Sequence, residues 1–108
     1  MKDGEWHRPG NHIMRGRDEM RAYLLSQPQR PTERTVRHVN GGMLVEVLDE
    51  NNATAWSQTV VFDTGPSATL PAPMVGPDLV VEYRDRPERR DGRWRLTLRS
   101  TTQVFRAG

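Results

Sequence analysis

The chain has 108 residues, 34% hydrophobic and 28% charged, enough for one small domain with an economical core. Its 16 basic and 14 acidic residues leave a formal charge of +2 and interleave almost everywhere. A nucleic-acid binder gathers its positive charge on one face, so no such partner is expected. The absence of cysteine excludes disulfides, thiolate nucleophiles and Cys-ligated metals, and suits a cytoplasmic setting. The longest apolar clusters, such as Val60-Val61-Phe62, are too short to span a membrane, and the opening Met1-Lys-Asp-Gly-Glu-Trp-His has no apolar leader, so neither a membrane partner nor a signal peptide is expected.

Residues 1–15 are rich in Gly, His, Arg and Pro and read as an irregular arm, with one short strand near Glu5 to Arg8. The stretch Gly16-Arg-Asp-Glu-Met-Arg-Ala-Tyr-Leu-Leu-Ser26 predicts a helix with its body from Arg17 to Ser26. Asp18 and Glu19 complement the dipole in its first turn, and Met20, Tyr23 and Leu24 share a face with Leu25 beside them. Pro28 and Pro31 end it.

From residue 33 the period changes to two. Strands are expected over Glu33 to Asn40 and Met43 to Asp49; Gly41-Gly42 either separates them or bulges one long bent strand. Val36, His38 and Asn40 fall on one side. Met43, Val45 and Val47 share a side, and Leu44, Glu46 and Leu48 the other. Glu50-Asn51-Asn52 makes a turn. Ala53 to Asp63 is a third strand, with Trp56, Gln58, Val60 and Phe62 facing one way. Thr64 to Pro77 holds four prolines and two glycines and reads as a loop long enough for a functional role. Leu79 to Asp85 and Arg93 to Arg106 form a hairpin about an Asp91-Gly92 turn, with Trp94, Leu96 and Leu98 on the buried side and a solvated, charge-rich tip. The class is α+β: one helix packed on a curved, mostly antiparallel sheet, in a single domain over residues 1–108.

Several of these pieces carry a family resemblance. Gly16-Arg-Asp-Glu-Met-Arg-Ala-Tyr-Leu resembles the "G-R-D-x-I-R-x-F" helix of SnoaL-like proteins in the nuclear transport factor 2-like superfamily. Thr35-Val-Arg-His-Val-Asn40 is similar to that family's "T-R-H-x-x-T-N" strand, and Ala53-Thr-Ala-Trp-Ser-Gln-Thr-Val-Val-Phe62 to its "A-x-A-x-S-x-x-L-V" strand. Val81-Glu-Tyr-Arg-Asp85 and Asp91-Gly-Arg-Trp-Arg95 resemble its "G-x-Y-x-D" and "D-G-x-W-R-I" closing hairpin. The resemblance implies a cone-shaped sheet enclosing a small-molecule pocket. It also implies a leading helical hairpin that caps the cone; the chain reads as lacking it, since Asp3-Gly-Glu-Trp-His-Arg-Pro9 resembles the short strand that follows. Steroid isomerases of the superfamily carry a base carboxylate near that strand. Here it reads Trp6-His7-Arg8-Pro9, so that activity is not implied.

Within this frame His38 is the candidate general acid/base, because imidazole titrates near neutral pH and the resemblance implies a pocket-facing histidine on this strand. Asp85 or Asn40 would orient it, and Tyr83 would donate to a substrate oxygen. Tyr83 and Asp85 alternate on one strand side; the competing reading pairs Asp85 with Arg84, Arg86 or Arg99. Asn40, Trp56, Val36 and Trp6 are the candidate ligand-binding residues. His7 and His12 have no carboxylate at ligand spacing, so no metal is expected, and no organic cofactor is implied. The resulting expectation is a pocket protein for an apolar or aromatic oxygenated ligand, a lyase or isomerase of dehydratase type if it is an enzyme. The alternative is a non-catalytic dimerisation or protein-interaction module. A homodimer is expected in either case, covering apolar surface on the sheet and on the Met20 helix face. The other cover for that surface is the Met1 to Met14 arm.

Overall fold

The computed structural model describes residues 3–27, 34–66, 70–74 and 76–107. Strands β1 (Glu5–Arg8) and β2 (His12–Arg15) come first, then helix α1 (Gly16–Ser26). Strands β3 (Arg34–Val47), β4 (Ala53–Pro66), β5 (Leu79–Arg90) and β6 (Arg93–Arg106) follow. They form one six-stranded sheet in the order β2-β1-β6-β5-β4-β3, antiparallel throughout except for the β1–β6 pair. This is the α+β fold expected.

The first fifteen residues are more regular than their composition suggests. The two short strands form a hairpin about Gly10 and Asn11, whose φ angles of 82° and 59° describe the left-handed turn such hairpins need. The Gly-Asn pair was the available signal; four-residue strands are too short to show alternation. The hairpin does not cover β3. It lies at the opposite end of the sheet, against β6. Helix α1 ends at Ser26, just before the prolines, which lie outside the described residues. It packs beside β2 through Tyr23, whose ring meets His12 and Trp6 edge-on. Leu24 and Leu25 of α1 remain exposed.

The Gly pair bulges one continuous strand. Gly41 faces Gln58 and Leu44 faces Trp56, so Gly42 and Met43 together oppose Ser57. Gly42 has φ +60°, and a Cβ there would lie 3.2 Å from the Gln58 amide nitrogen and 3.4 Å from the Trp56 ring. Gly41 has open space around it. Gly42→Ala is therefore expected to cost about 1–2 kcal/mol through the left-handed backbone. Gly41→Ala should stay within about 0.5 kcal/mol. Paired urea titrations of the two variants check the contrast.

The pairing assigns the two faces. Ala55, Ser57, Thr59 and Val61 of β4 stand opposite Asp85, Tyr83, Val81 and Leu79 of β5 on one face, the inner face, which Ala53 continues opposite Val47 of β3. Val81, Thr59, Val61, Ser57, Ala53 and Asp85 are all buried there, with Met14. The outer face carries Trp56, Gln58, Val60 and Phe62.

Two expectations are corrected by this. Strand β5 continues past Asp85 to Arg90, and the hairpin tip projects beyond β4, whose ladder with β5 stops at Asp85. Trp94 pairs with Arg89 in that overhang and is 48% exposed. Leu98 pairs with Arg86 on the outer face, but an extra residue at Thr97 shifts the register, so Leu96 and Trp94 stand opposite Pro87 and Arg89, on the inner side of β5. The three therefore do not share one face across the bulge, and Leu96 and Leu98 are half-buried rather than core. Also, β4 extends to Pro66, three residues into the expected loop.

Candidate functional site

The inner face carries a small open cavity of about 240 Å³ lined by His38, Asn40, Met43, Ser57, Thr59, Tyr83 and Arg99. Each lining residue comes from alternation on a paired strand. His38 and Asn40 stand opposite Val61 and Thr59, Ser57 opposite Tyr83, and Thr101, beside Arg99 on β6, opposite Tyr83 from the other side. The Thr59 hydroxyl donates to Asn40 Oδ1, fixing the amide so that its nitrogen is free to donate. No described residue hydrogen-bonds the exposed His38 imidazole.

Asp85 belongs to a different cluster. Its carboxylate, 9% exposed, takes two parallel hydrogen bonds from Arg99, Nε to Oδ1 and Nη2 to Oδ2, each 3.0 Å. The Arg99 guanidinium carbon stands 4.1 Å from the Tyr83 ring centroid. The hydrogen bonds that Arg99 donates to Asp85 raise the Arg99 pKa above its ordinary value, against desolvation, with Coulombic help from Asp85 and Tyr83. Asp85, Arg99 and Tyr83 thus form a braced unit.

The register separates Asp85 from His38. His38 aligns with Val61 and Asp85 with Ala55, six positions along β4 and two strands apart. At roughly 3.3 Å per residue that is about 20 Å, so Asp85 cannot orient the imidazole directly. Asn40, two residues along the same strand and face, is the polar neighbour of His38. The pairing of Asp85 with Arg99 is the competing reading raised by the sequence.

The other candidates divide. Trp56 faces outward, its indole N–H donating to Glu82 Oε1, and lines a separate outer groove with Leu44, Glu46, Arg84 and Arg86. It cannot touch a ligand held by His38. Val36 is on the inner face, one row beyond His38, and does not line the cavity. Trp6 is also on the inner face, beside Arg99, but its N–H donates to Thr101 Oγ1 at 2.9 Å and its ring packs at Tyr23. His7 pairs with Glu5, 3.0 Å away. Ser57, Thr59 and Met43 were missed as lining residues. Ser57 and Thr59 alternate on β4 with the larger Trp56, Gln58 and Val60, and Met43 is carried to the inner face by the bulge.

Breaking the braced unit has a definite expected cost. Asp85→Ala leaves Arg99 without its anion and should destabilise by about 1.5–3 kcal/mol, toward the lower end because Arg99 is a third exposed. The Asp85→Ala/Arg99→Ala double-mutant cycle, read by denaturant melts, measures it. A coupling energy near zero would mean the pair contributes nothing.

A curved sheet closed by a charge-rich hairpin, with one helix at its edge and a polar-walled cavity on its inner face, describes the ligand-binding domains of the nuclear transport factor 2-like superfamily. The chain belongs to the SnoaL-like domain family, which matches it over residues 1–100. Its fold is similar to that of an NTF2-like protein with a cystatin-like fold from Novosphingobium aromaticivorans, at TM-score 0.72 and 25% identity over 96% of this chain and 64% of that one. It is also similar to hexachlorocyclohexane dehydrochlorinase LinA-type3 from Novosphingobium barchaimii, at TM-score 0.75, 15% identity and coverages of 99% and 69%. ActVI-ORFA from Streptomyces coelicolor gives TM-score 0.78, 22% identity and coverages of 96% and 76%. The chain therefore spans just under two thirds of the first of these proteins. No functionally curated protein matches it. Among the described residues no helix is long and apolar enough to cross a membrane.

Proposed function

We propose that this domain binds a small oxygenated aromatic or alicyclic ligand in the inner-face cavity and acts on it by proton transfer, as a lyase of dehydratase type. The observation that carries the reading is that His38, Asn40 and Tyr83 line one cavity. The similarity of fold to a dehydrochlorinase is in keeping with elimination chemistry, though at 15% identity it speaks for the fold alone.

In this reading the His38 imidazole takes the proton from the carbon beside a substrate carbonyl. Tyr83 donates a hydrogen bond to the carbonyl oxygen, where negative charge develops. The proton then passes from His38 to the β-hydroxyl. The Cα–H and Cβ–O bonds break, a C=C bond forms and water leaves. Asn40, held by Thr59, positions the ligand beside His38. Asp85 is a positioning residue, acting on Tyr83 through Arg99. The reading includes a homodimer and a cytoplasmic setting, which a cysteine-free chain suits.

The test is a panel of β-hydroxy ketones on one- and two-ring scaffolds, followed by ultraviolet absorbance for the conjugated product and by NMR for binding. Turnover with shifts at His38 and Tyr83 supports the proposal. Binding at His38 without turnover reduces it to a ligand carrier, and neither result leaves the second reading. That second reading, a non-catalytic interaction module, has one observation in its favour: the exposure of β3 along most of its length.

A further inference from the structure

The two edges of the sheet are treated differently. Strand β2, at one edge, has four residues and runs straight into α1. Strand β3, at the other, has fourteen, and among the described residues pairs only with β4. Every residue from Arg37 to Val47 is exposed, and Val39, Met43, Leu44, Val45 and Val47 are each more than half exposed. A monomer blunts such an edge with central charges, proline or short length. Between Thr35 and Val47 the only formal charges are Arg37 and Glu46, toward the two ends. Neither has an ion-pair partner among the described residues, and both lie on the outer face. The chain is also extended for its size, with a radius of gyration of 16.3 Å. A self-contained domain of this length has about 13 Å.

The bulge decides what fits this edge. Before it, even-numbered residues of β3 face inward; after it, odd-numbered ones do. An antiparallel copy of the strand can then be centred between Gly41 and Gly42 with like faces matched. Arg37 falls opposite Glu46 of the partner subunit, and Val39 opposite the partner subunit's Leu44, all on the outer face. On the inner face Val36 meets the partner's Val47, His38 meets the partner's Val45, and Asn40 meets the partner's Met43. In a strand without the bulge the same register would set inward residues against outward ones.

We propose that β3 pairs antiparallel with β3 of a second copy in this register, joining the two sheets edge to edge about a two-fold axis at the glycine bulge. Each interface carries two Arg37–Glu46 pairs, as an isologous contact must. Met43 and Val45 of the partner subunit then wall the open side of the cavity beside Asn40 and His38. The inference specifies the homodimer of the proposed function, and it is read by oligomeric state, so its failure leaves the ligand chemistry standing.

Charge reversal tests it on the whole chain. Sedimentation across a micromolar concentration series should show a dimer. Arg37→Glu or Glu46→Arg alone sets like charges opposite each other twice per dimer, and each should raise the dissociation constant about tenfold or more. The double variant Arg37→Glu/Glu46→Arg should recover the dimer, and so should an equimolar mixture of the two single variants. Both positions are exposed, so the fold tolerates the changes, which circular dichroism verifies. A strict monomer, a dimer indifferent to either single reversal, or single reversals that neither combination rescues would each overturn the proposal.

Discussion

His38→Ala is expected to lower turnover of any substrate found by the panel by about 10²–10⁴-fold, the usual contribution of a general acid–base group. The effect should fall on kcat, with ligand affinity changed far less, because Asn40, Tyr83 and Arg99 still line the cavity. Stability should move by no more than about 0.5 kcal/mol, since the imidazole is exposed and no described residue bonds it. His38→Gln keeps a hydrogen-bonding side chain but cannot exchange a proton near neutral pH, so it should be as inactive as the alanine variant. Steady-state kinetics on the two variants decides the matter. If either keeps more than about a tenth of the activity, His38 is not the proton-transfer group. Asp85→Asn separates the residues further: it weakens the brace on Arg99 and Tyr83 without touching His38. Its activity loss should therefore be smaller than that of His38→Ala.

Met14→Ala should be the most damaging single truncation of the core. The side chain is 3% exposed and sits on β2 opposite Trp6, where the amino-terminal hairpin meets the start of α1. Among the described residues the other buried apolar side chains are Ala53, Val61 and Val81. Emptying such a site costs about 2–5 kcal/mol, from lost transfer free energy and the cavity left behind. A domain of this size has only about 5–15 kcal/mol in total. At about 4 °C per kcal/mol the melting temperature should fall by about 8–20 °C. Thermal circular dichroism is the measurement. A drop under about 3 °C would mean that the hairpin and helix contribute little to the cooperative unit. Met14→Leu, which conserves volume, should recover most of the loss.

The elements most legible in the sequence are those whose signals are local. The helix shows its acidic first turn and its prolines beyond Ser26. The closing hairpin has an Asp91-Gly92 turn with φ 52° and 74°, which those residues adopt readily. The sharing of a face by His38 and Asn40 follows from a period of two, as does the sharing of another by Tyr83 and Asp85. The family, and with it the curved sheet, could be read from the order of short motifs.

What alternation cannot state is which of a strand's two faces is the inner one, or where one strand stands against the next. Both depend on partners distant in sequence. Trp56 and Trp94 look like pocket and core residues because they are large and apolar. The pairing turns Trp56 to the outer face, opposite Arg84, and leaves Trp94 half exposed near the hairpin tip, opposite Arg89. Asp85 looks like a partner for His38, and only the β3–β4–β5 register shows them about 20 Å apart along the strands, with Arg99 holding the carboxylate. The Gly pair could mark a break or a bulge. Tertiary pairing makes it a bulge, and that one extra residue carries inward-facing side chains from even to odd positions along β3.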